Sequence, residues 1–405
     1  MTARILLTEP QGSPRQTLEQ YRARGGYAAL ERARSEIEPS ALIDLVEAAG
    51  LRGRGGAAFP TARKWRLAAA ASADQKFVVA NGGEHEPGSE KDKFLVANYP
   101  HAVLEGILLC GHATGASKGY LYLIEDMAPQ IEAAEAALAE LRDAGLLIFD
   151  IEIHRAPTTY VAGEETAAID SIEGGPGKPK EKPPYPGESG VHGKPTTVNN
   201  VESLAHVPFI VREGADAYRA IGTAESPGTM LFTLGRAAKN PGVYELPFGT
   251  TYRELIEGCG GGTASGRAIR AVLPALSCGF LAAEHLDVPI AHETLRPLGS
   301  SPGCGGVSWI EEGDDVLARL SEIAQFFMDE QCGQCPPCRM ETNQLVHVLK
   351  GVQAAKGPGY REQITKITDF ARGKGRCSLI EMAAASIVSA LDVFADDFAA
   401  AAGGA

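Results

Sequence analysis

Seven residues near the carboxyl end, Cys332-Gly-Gln-Cys-Pro-Pro-Cys338, constrain this chain more than any other stretch. The spacers let the thiols of Cys332, Cys335 and Cys338 converge on one small object, and Cys377 supplies another thiol from a distant segment. Four thiolates are the ligand set of a [4Fe-4S] cluster. Apolar residues recur at helical spacing on both sides of the run, which places the thiols at a junction between two helices.

Zinc is the alternative occupant, because four cysteines also form closed structural zinc sites. Zinc ribbons usually supply their thiols as two separate pairs, whereas here three thiols come in one run and the last stands alone. The spacing therefore favours a cluster, and a zinc-stabilised structural protein is the weaker interpretation. The scattered cysteines Cys110, Cys259, Cys278 and Cys304 are predicted to be reduced thiols and not disulfides.

Length and charge exclude several classes of protein. With 405 residues the chain should divide into several domains, and its net charge of -13 argues against nucleic acid, which binds basic surfaces. No segment approaches the roughly 18 consecutive apolar residues of a membrane span. The polar start does not resemble a secretory signal. We therefore expect no nucleic-acid partner, no direct membrane insertion, and a location in the cytosol or on the cytosolic face of a larger assembly.

The first half of the chain alternates short apolar strands with helices, which predicts an α/β fold built on an open, mostly parallel sheet. Strands are predicted at 77–80, 120–124 and 147–153, with helices at 101–114 and 129–141. Ligands of such sheets bind beyond the carboxyl ends of the strands. The sequence therefore predicts a ligand site where the first strand ends.

A glycine-rich loop precedes that strand, with Gly50, Gly53, Gly55 and Gly56 inside seven residues. Such a loop can bring its backbone close to a phosphate, and Arg54 and Lys64 add positive charge. The pattern is neither the dinucleotide-binding fingerprint nor a Walker loop. Taken alone, phosphate binding and a tight structural loop are equally open.

Polar groups that could fix a heteroaromatic ligand follow the predicted strands and flank a Pro/Gly/Lys-rich crossing at 174–186, which is long enough to act as a lid or clamp. Singly, each of these groups could be a helix cap, a solvated acid or a turn residue. The group comprises Asn81, Glu84, Glu86, Glu164, Glu165, Asn199 and Asn200.

The combination of a cluster and such a site has a chemical logic. A cluster transfers one electron at a time, whereas nicotinamide gives up two electrons as hydride. A flavin converts between the two, and the protein binds, orients and shields the reactants. The sequence therefore predicts a flavin near the sheet and requires no general base.

Five motifs carry a resemblance to a known family. They are G-R-G-G-A-A-F-P-T at 53–61, N-G-G-E-H-E-P-G at 81–88, G-E-E-T-A at 163–167, G-K-P-T-T-V-N-N-V-E at 193–202 and C-G-Q-C-P-P-C-R at 332–339. In these motifs, and in their order, the chain resembles the NADH-binding flavoprotein subunit of respiratory complex I, whose relatives serve NAD-linked formate dehydrogenases and NAD-reducing hydrogenases.

The resemblance implies an NADH:acceptor oxidoreductase that passes electrons through FMN to the cysteine-bound [4Fe-4S] cluster. FMN would be bound by Gly53, Arg54, Gly55, Gly56, Lys64, Asn81, Glu84, Gly163, Glu164, Asn199 and Asn200. NADH would lie against Ala57, Phe59, Glu86, Tyr160, Glu165, Lys182 and Tyr185, with Glu86 and Glu165 at the reacting centre.

The resemblance also implies domains and partners. We expect an N-terminal helical segment at 1–40, a Rossmann-like FMN/NADH domain at 41–222, a ubiquitin-like (SLBB-type) α+β domain at 223–313 and a helical bundle with the cluster at 314–405. Implied partners are a small thioredoxin-like [2Fe-2S] subunit and a larger iron-sulfur or catalytic redox subunit.

Some residues depart from the family pattern. Gly83 replaces an aspartate that helps to hold the flavin in relatives. His85 replaces a small residue, and we expect its imidazole ring to point to solvent. Leu67 and Tyr185 stand where relatives often carry phenylalanine. These departures leave open a non-catalytic electron relay or assembly protein that has lost flavin or nucleotide, and they leave open NADH versus NADPH.

Overall fold

The protein is described here by a computed structural model covering residues 4–9, 12–355 and 359–403. The chain forms two compact units. The first comprises Met1–His85, Ser89–Phe232 and Val243–Gly249, and the second comprises Glu86–Gly88, Thr233–Gly242 and Thr250–Ala405. The outer limits of the predicted domains, residues 1 and 405, lie outside the described residues, and the four-domain division stays a prediction.

The first unit contains a parallel sheet surrounded by helices. Its strands are β1 (Phe77–Asn81), β2 (Lys118–Ile124), β3 (Asp150–Ala156) and β4 (Thr196–Asn200). Its helices are α1 (Leu18–Ala23), α2 (Ala28–Glu36), α3 (Pro39–Ala49), α4 (Thr61–Ala70), α5 (Lys91–Asn98), α6 (Pro100–Thr114), α7 (Ala128–Asp143), α8 (Glu165–Ile172), α9 (Val201–Ala205), α10 (Val207–Glu213) and α11 (Ala215–Arg219). Short 3-10 turns lie at Tyr160–Gly163 and Val191–Gly193.

The strand order is β3-β2-β1-β4, and every neighbouring pair is parallel. This confirms the predicted open parallel sheet. One element was missed: Asn199 and Asn200, for which a turn was left open as an alternative, end strand β4. The run Thr-Thr-Val before them is short and follows a proline-rich crossing, so its strand character depends on pairing with β1, where Asn81 lies opposite Asn200.

Both faces of this sheet are covered, because successive strand residues point to opposite sides. Val78 and Ala80 join a large apolar core, whereas Phe77 and Val79 join a smaller one that includes Ala168 and Ile169 of α8. Helix α6 is buried along nearly its whole length. The carboxyl ends of the parallel strands are therefore held in place by packing on both faces of the sheet.

The sequence also predicts helices around 17–33 and at 379–398, and both are broken in the structure. The helical pattern at 17–33 is interrupted by Tyr27, whose φ of 63° lies in the left-handed region. The predicted helix at 379–398 divides at Phe394, which caps two helices described below. Periodicity alone does not detect such one-residue breaks, because the apolar pattern continues through them.

The second unit carries a mixed sheet and a helical bundle, which confirms the predicted α+β region and terminal helices. The strands, two of which contribute residues to both units, are β5 (Thr229–Leu234), β6 (Gly242–Pro247), β7 (Ile269–Leu273), β8 (Leu281–Ala282) and β9 (Gly306–Glu311), in the order β6-β5-β9-β7-β8. The helices are α12 (His292–Leu295), α13 (Val316–Glu330), α14 (Pro336–Gln353), α15 (Tyr360–Ala371), α16 (Leu379–Val393) and α17 (Ala395–Ala401), with a π-helical turn at Glu254–Cys259 and 3-10 turns at Ala283–His285 and Arg296–Leu298.

In the part of the chain that the structure describes, no single helix has the length and apolar composition needed to cross a membrane. Helices α5 and α6 meet that test only as a pair, across a bend of 95°.

Candidate functional site

The glycine-rich loop of the first unit is closed at its base by backbone hydrogen bonds. The Gly53 N–H donates to the Phe59 carbonyl at 2.9 Å, and the Thr61 N–H donates to the Leu51 carbonyl at 3.0 Å. Gly56 has a φ of 107°, which favours glycine. Helix α4 begins directly after the loop and has no side-chain cap. The N–H groups of Thr61 and Arg63 in its first turn donate to backbone carbonyls, so the helix start lies beside the glycine backbone with part of its donors already used.

The loop approaches the end of strand β4. A Cβ atom added to Gly55 would meet the Cβ of Asn200 at 3.3 Å, so this contact has almost no room for a side chain. The Asn200 Nδ2 donates to Asp92 Oδ2 at 2.6 Å. Asn199, its neighbour, accepts a 2.9 Å hydrogen bond from Trp65 of α4. Both asparagines thus fix the geometry between strand, loop and helices.

The end of β1 is tied to the turn that carries Gly163. Asn81 Nδ2 donates to the Gly163 carbonyl at 2.8 Å, while Asn81 Oδ1 accepts from the Gly83 N–H at 3.0 Å. One asparagine side chain therefore holds two of the predicted flavin-binding motifs together.

Glu84 acts as a remote cap for helix α5. Its two carboxylate oxygens accept hydrogen bonds from the backbone N–H groups of Lys91, Asp92 and Lys93, each at 3.0 Å. The Ser89 hydroxyl also donates to Oε1 at 2.5 Å. A carboxylate at a helix N-terminus satisfies otherwise unpaired donors and interacts favourably with the helix dipole. The structure therefore gives Glu84 a structural task at the site.

A network of two lysines and two glutamates joins helix α4, helix α8 and the proline-rich crossing. Lys64 Nζ contacts Glu165 Oε2 at 2.6 Å, and Lys182 Nζ contacts Glu165 Oε1 at 3.0 Å and Glu164 Oε1 at 2.8 Å. Glu164 also caps α8 through the N–H groups of Thr166 and Ala167. Although burial opposes ionisation, the charges of the two lysines lower the pKa of Glu165. Glu165 is therefore ionised at neutral pH.

Exposed apolar side chains surround this network. Phe59 is 46% exposed, Leu67 is 39% exposed and Tyr185 is 51% exposed, although large hydrophobic residues elsewhere in the unit are mostly buried. The Phe59 ring centroid lies 5.8 Å from Lys64 Nζ. A Cβ on Gly187 would meet Leu67 at 2.9 Å, so the crossing lies close against α4. Such uncovered rings beside fixed charges are suited to stacking on a heteroaromatic ligand.

The expectation for His85 is wrong. Its ring does not point to solvent: Nδ1 lies 3.3 Å from the Thr158 carbonyl, and Nε2 is shielded from water. A Cβ on Gly83 would meet His85 Nε2 at 3.2 Å. The ring therefore occupies the space that opens when residue 83 lacks a side chain. Burial lowers the pKa of His85 to about 4, so the ring is neutral.

Arg54 differs from the other predicted phosphate ligand. Its guanidinium is buried and donates to the carbonyl oxygens of Arg52, Pro227 and Thr229 and to the Tyr218 hydroxyl, at 3.0–3.1 Å. These bonds occupy the side chain in the interior. The Arg54 guanidinium is therefore held in the interior by the chain itself. Lys64, the other predicted cation, lies in the first turn of α4.

The residues present fit a flavin mononucleotide. An uncapped helix N-terminus after a glycine loop is a general phosphate site, and Lys64 lies in the first turn of that helix. The strand-end amides, the glycine backbone at 83 and 163 and the exposed rings provide polar and stacking surfaces nearby. This donor set matches a phosphate joined to a polar chain and an aromatic ring.

Glu86 and the four cysteines of the cluster motif belong to the second unit. There, the Ser277 N–H donates to Glu86 Oε1 at 3.2 Å. The remaining predicted nucleotide contacts, Ala57 in the loop and Tyr160 at the start of a 3-10 turn, belong to the first unit.

The four cysteines of the motif lie at helix ends, and the predicted helix junction is present. Cys332 and Cys335 lie in the turn between α13 and α14, Cys338 lies in the first turn of α14, and Cys377 precedes α16. None of the four forms a disulfide. Among the described residues, no three His, Cys, Asp or Glu side chains meet closely enough to hold a single metal ion.

Cys338 is near the other cysteines of the motif. Burial, and then the charges of Cys377 and Cys335, raise the pKa of Cys338 to about 12. The Arg376 N–H donates to Cys335 Sγ at 3.4 Å, and Gln334 Nε2 donates to Cys332 Sγ at 3.5 Å. Neighbouring thiols with N–H donors are the ligand type of an iron-sulfur core, which would bind them as thiolates.

Sequence reasoning missed several residues that position the site. Buried Lys91 contacts Asp92 at 2.7 Å and Glu202 at 2.8 Å, and Glu202 accepts from the Leu231 N–H. The Ser203 hydroxyl accepts from the Arg54 N–H. Buried charges of this kind need partners, but only the motif N-N-V-E at 199–202 hinted at them in the sequence.

Comparisons with known proteins agree with this geometry. Residues 46–209 match the Nuo51 FMN-binding domain, residues 234–274 match the SLBB domain, and residues 318–401 match the NADH-ubiquinone oxidoreductase-F iron-sulfur binding region. These matches confirm the predicted flavin domain, the ubiquitin-like domain and the cluster-binding bundle, and they favour the cluster over zinc.

Whole-length relatives point the same way. The chain is 37% identical over 394 residues to the NADH-quinone oxidoreductase F 2 subunit of Rhizobium meliloti, and the match covers 95% of this chain and 94% of the relative. It is 37% identical to NADP-reducing hydrogenase subunit HndC of Solidesulfovibrio fructosivorans, over 95% of this chain and 80% of the relative.

A solved NAD+-reducing [NiFe]-hydrogenase in the H2-reduced state contains a similar chain, with a TM-score of 0.84 and 32% identity over 99% of this chain and 67% of that one. The resemblance inferred from the five motifs is confirmed. From its domains, its four-thiol site and these near full-length matches, the chain belongs to the family of the F subunits of NADH-quinone oxidoreductase.

Proposed function

We propose that this chain oxidises NADH, or reduces NAD+, as the FMN- and [4Fe-4S]-bearing subunit of a larger redox complex. The observation that carries the proposal is the presence, in one chain, of the Lys64–Glu165–Lys182 network beside exposed rings and of four motif cysteines that form no disulfide. Nothing in the comparisons favours the alternative of a non-catalytic relay or assembly protein.

FMN would be held by the loop, the strand ends and the α8 turn. The backbone of the loop and the uncapped start of α4 would bind the phosphate, with Lys64 supplying the charge. Arg54 would act indirectly, because its buried hydrogen bonds fix the loop. The proposed set is Gly53, Arg54, Gly55, Gly56, Lys64, Asn81, Glu84, Gly163, Glu164, Asn199 and Asn200.

NADH would stack against exposed rings and reach fixed carboxylates. Phe59 and Tyr185 offer uncovered aromatic surface. Glu165 is ionised and held by two lysines, so its free lone pairs can accept hydrogen bonds from the ribose or carboxamide without reorganising. The other proposed contacts are Ala57, Tyr160, Lys182 and, from the resemblance alone, Glu86.

Bound FMN supplies a two-electron acceptor that can release electrons singly. The chain's own residues bind and orient both reactants and exclude water. A neutral His85 and the close contacts at Gly83 keep this end of the site compact. No proton has to be taken from a carbon atom, so none of the residues named here needs to act as a general base.

The cluster would be held by Cys332, Cys335, Cys338 and Cys377 and would pass electrons to another protein. We propose a small thioredoxin-like [2Fe-2S] subunit and a larger iron-sulfur or catalytic redox subunit as partners, in the cytosol or at the cytosolic face of a membrane complex. Support comes from relatives that are named as subunits of a quinone oxidoreductase and of a hydrogenase.

An anaerobic visible spectrum with quantified flavin and iron tests the proposal. We expect FMN and about four irons per chain, and bleaching of the flavin and cluster bands when NADH is added. Iron without flavin, or a flavin that neither NADH nor NADPH reduces, would contradict it and favour the relay alternative.

A further inference from the structure

A groove on the second unit has no assigned role. Its volume is about 450 Å³, and it runs between helices α14, α15 and α16 and the loops that contain Phe280 and Leu298. Its apolar wall includes Ile380, Ala384 and Val388, and Val388 is 39% exposed. The groove therefore combines an apolar channel with access from solvent.

Three carboxyl groups line the same groove, those of Glu341, Glu381 and Asp392. Arg372 is the basic residue of the lining, and it forms an ion pair with Asp369 at 3.3 Å. Asp392 is paired with Arg361. Among the described residues, neither Glu341 nor Glu381 forms an ion pair with a basic side chain of the lining.

Glu341 is the independent sign of a missing group. The residue is 1% exposed, and its Oε2 atom has no hydrogen-bond partner among the described residues. Burial, and then the negative charge of Glu381, raise the pKa of Glu341 to about 8. A buried carboxyl without a donor costs free energy. A cationic donor entering the groove would remove that cost.

The position of the groove relates it to the cluster. Glu341 follows Cys338 by three residues on α14, a rise of roughly 4.5 Å, and Glu381 follows Cys377 by four residues. Glu341 thus lies about one helical turn beyond Cys338, and Glu381 lies in the first turn of α16, shortly after Cys377. A molecule anchored in the groove would lie beside the cluster.

We propose that this groove is the docking site for a lysine or arginine side chain of the redox partner protein that exchanges electrons with the cluster. The aliphatic stem of that side chain would pack on the apolar wall, and its cationic head would donate to Glu341 and Glu381. The inference rests on the proposed function for the partner's role, but the chemistry of the groove does not depend on NADH oxidation.

The test uses the full-length holoprotein and a defined probe, an acetylated and amidated alanine pentapeptide with a central lysine. Its dissociation constant is measured by NMR titration of the peptide, and carbodiimide coupling followed by peptide mapping locates the contact. We expect coupling at Glu341 or Glu381. We also expect the matched norleucine peptide, which has the stem without the charge, to bind at least about tenfold more weakly.

Two variants and one control sharpen the test. Glu341→Gln removes the anionic acceptor, and Ala385→Phe fills the groove without touching its charges; each should weaken the lysine peptide about tenfold or more. Glu362→Gln, an exposed acid on α15 outside the groove, should leave binding unchanged. If Glu341→Gln fails to fold, Ala385→Phe still decides the question.

Three outcomes would overturn the proposal. They are absence of coupling in the groove, equal binding of the norleucine peptide, and occupation by free n-pentylammonium while the peptide is excluded, which would indicate a small-amine site. NADH-dependent bleaching is measured on the same preparations. Loss of bleaching with intact peptide binding would count against the proposed function alone.

Discussion

Glu165 and Glu341 show how differently the two units treat a buried carboxyl group. In the first unit, Lys64 and Lys182 contact Glu165 at 2.6 and 3.0 Å, and its pKa is lowered. In the second, Glu341 Oε2 has no partner among the described residues, and its pKa is raised to about 8. Both carboxylate oxygens of Glu165 are thus paired with lysines of the chain, whereas Glu341 has no such cation among the described residues.

The thiols extend this contrast. Cys338 has a raised pKa because it is buried and because Cys377 and Cys335 lie near it. Asn81 and Glu84, by comparison, are satisfied by backbone groups of the same chain. The first unit is therefore organised by its own side chains before its cofactor binds. The region around the cysteines depends on the cluster and on a cation from the partner protein.

The largest expected effect is the loss of iron from the cluster region while the flavin-binding region keeps its FMN. Cys338→Ser should reduce iron from about four per chain to near zero, because one buried ligand is lost. Hydrogen exchange should then increase in α14 and α16 and remain unchanged in strands β1 to β4, and FMN content should be retained. Mass spectrometry measures the hydrogen exchange, and metal and flavin analysis measure the iron and FMN content.

Cys304→Ser is the matched control for this experiment, because that thiol lies outside the motif and its loss should change neither iron nor flavin. Simultaneous loss of FMN in Cys338→Ser would show that the first unit is not independent.

The next effect concerns the charge in the first turn of α4. Lys64→Met should raise the dissociation constant of FMN by about 10- to 100-fold, the range expected for a charge-assisted hydrogen bond to phosphate. Flavin fluorescence on titration of the apoprotein measures it. Lys118→Met, which removes an ion pair between Lys118 on β2 and Glu152 on β3, should bind FMN normally.

Much of this organisation could be predicted from local sequence. The cysteine spacing located the cluster site, and alternation of strands and helices located the sheet. The contact partners could not be predicted, because Arg54, Glu84 and Glu341 each depend on segments that are distant in the sequence or on a missing partner. The ring of His85 was misjudged for the same reason: its packing against Gly83 and Thr158 is a tertiary contact.

A smaller effect tests whether the first unit is preorganised by its own side chains. Glu84→Gln replaces one accepting oxygen by an NH2 group facing the start of α5, where four donors now converge. We expect a loss of about 1–2 kcal/mol, typical of helix caps, seen as faster hydrogen exchange in α5. Glu90→Gln removes an exposed ion pair with Lys93 at the start of the same helix and should have a smaller effect.

The smallest effect is the pH dependence of stability. A raised pKa means that Glu341 binds its proton more tightly when folded, so its contribution is present below its ordinary value of 4.5 and is lost as pH rises towards about 8. Thermal unfolding of the anaerobic protein should therefore show a decline in stability from pH 5 to pH 8, and Glu341→Gln should reduce that decline.

Glu165→Gln provides the contrast. The pKa of Glu165 lies below its ordinary value of 4.5, so its contribution is constant between pH 5 and pH 8 and is lost only at lower pH. This variant should lower stability uniformly and keep the decline. An identical pH profile for both variants would contradict the distinction between the two carboxyl groups.

The most direct test of the central claim follows electrons within the isolated chain. Anaerobic holoprotein is mixed with NADH and frozen at increasing times, and the reduced cluster is measured by EPR alongside the flavin absorbance. The account predicts that flavin absorbance falls first and that the cluster signal then rises in wild type and is absent in Cys338→Ser. A flavin that is reduced while the cluster of the wild-type chain stays oxidised would contradict an electron path from NADH through FMN to these four cysteines.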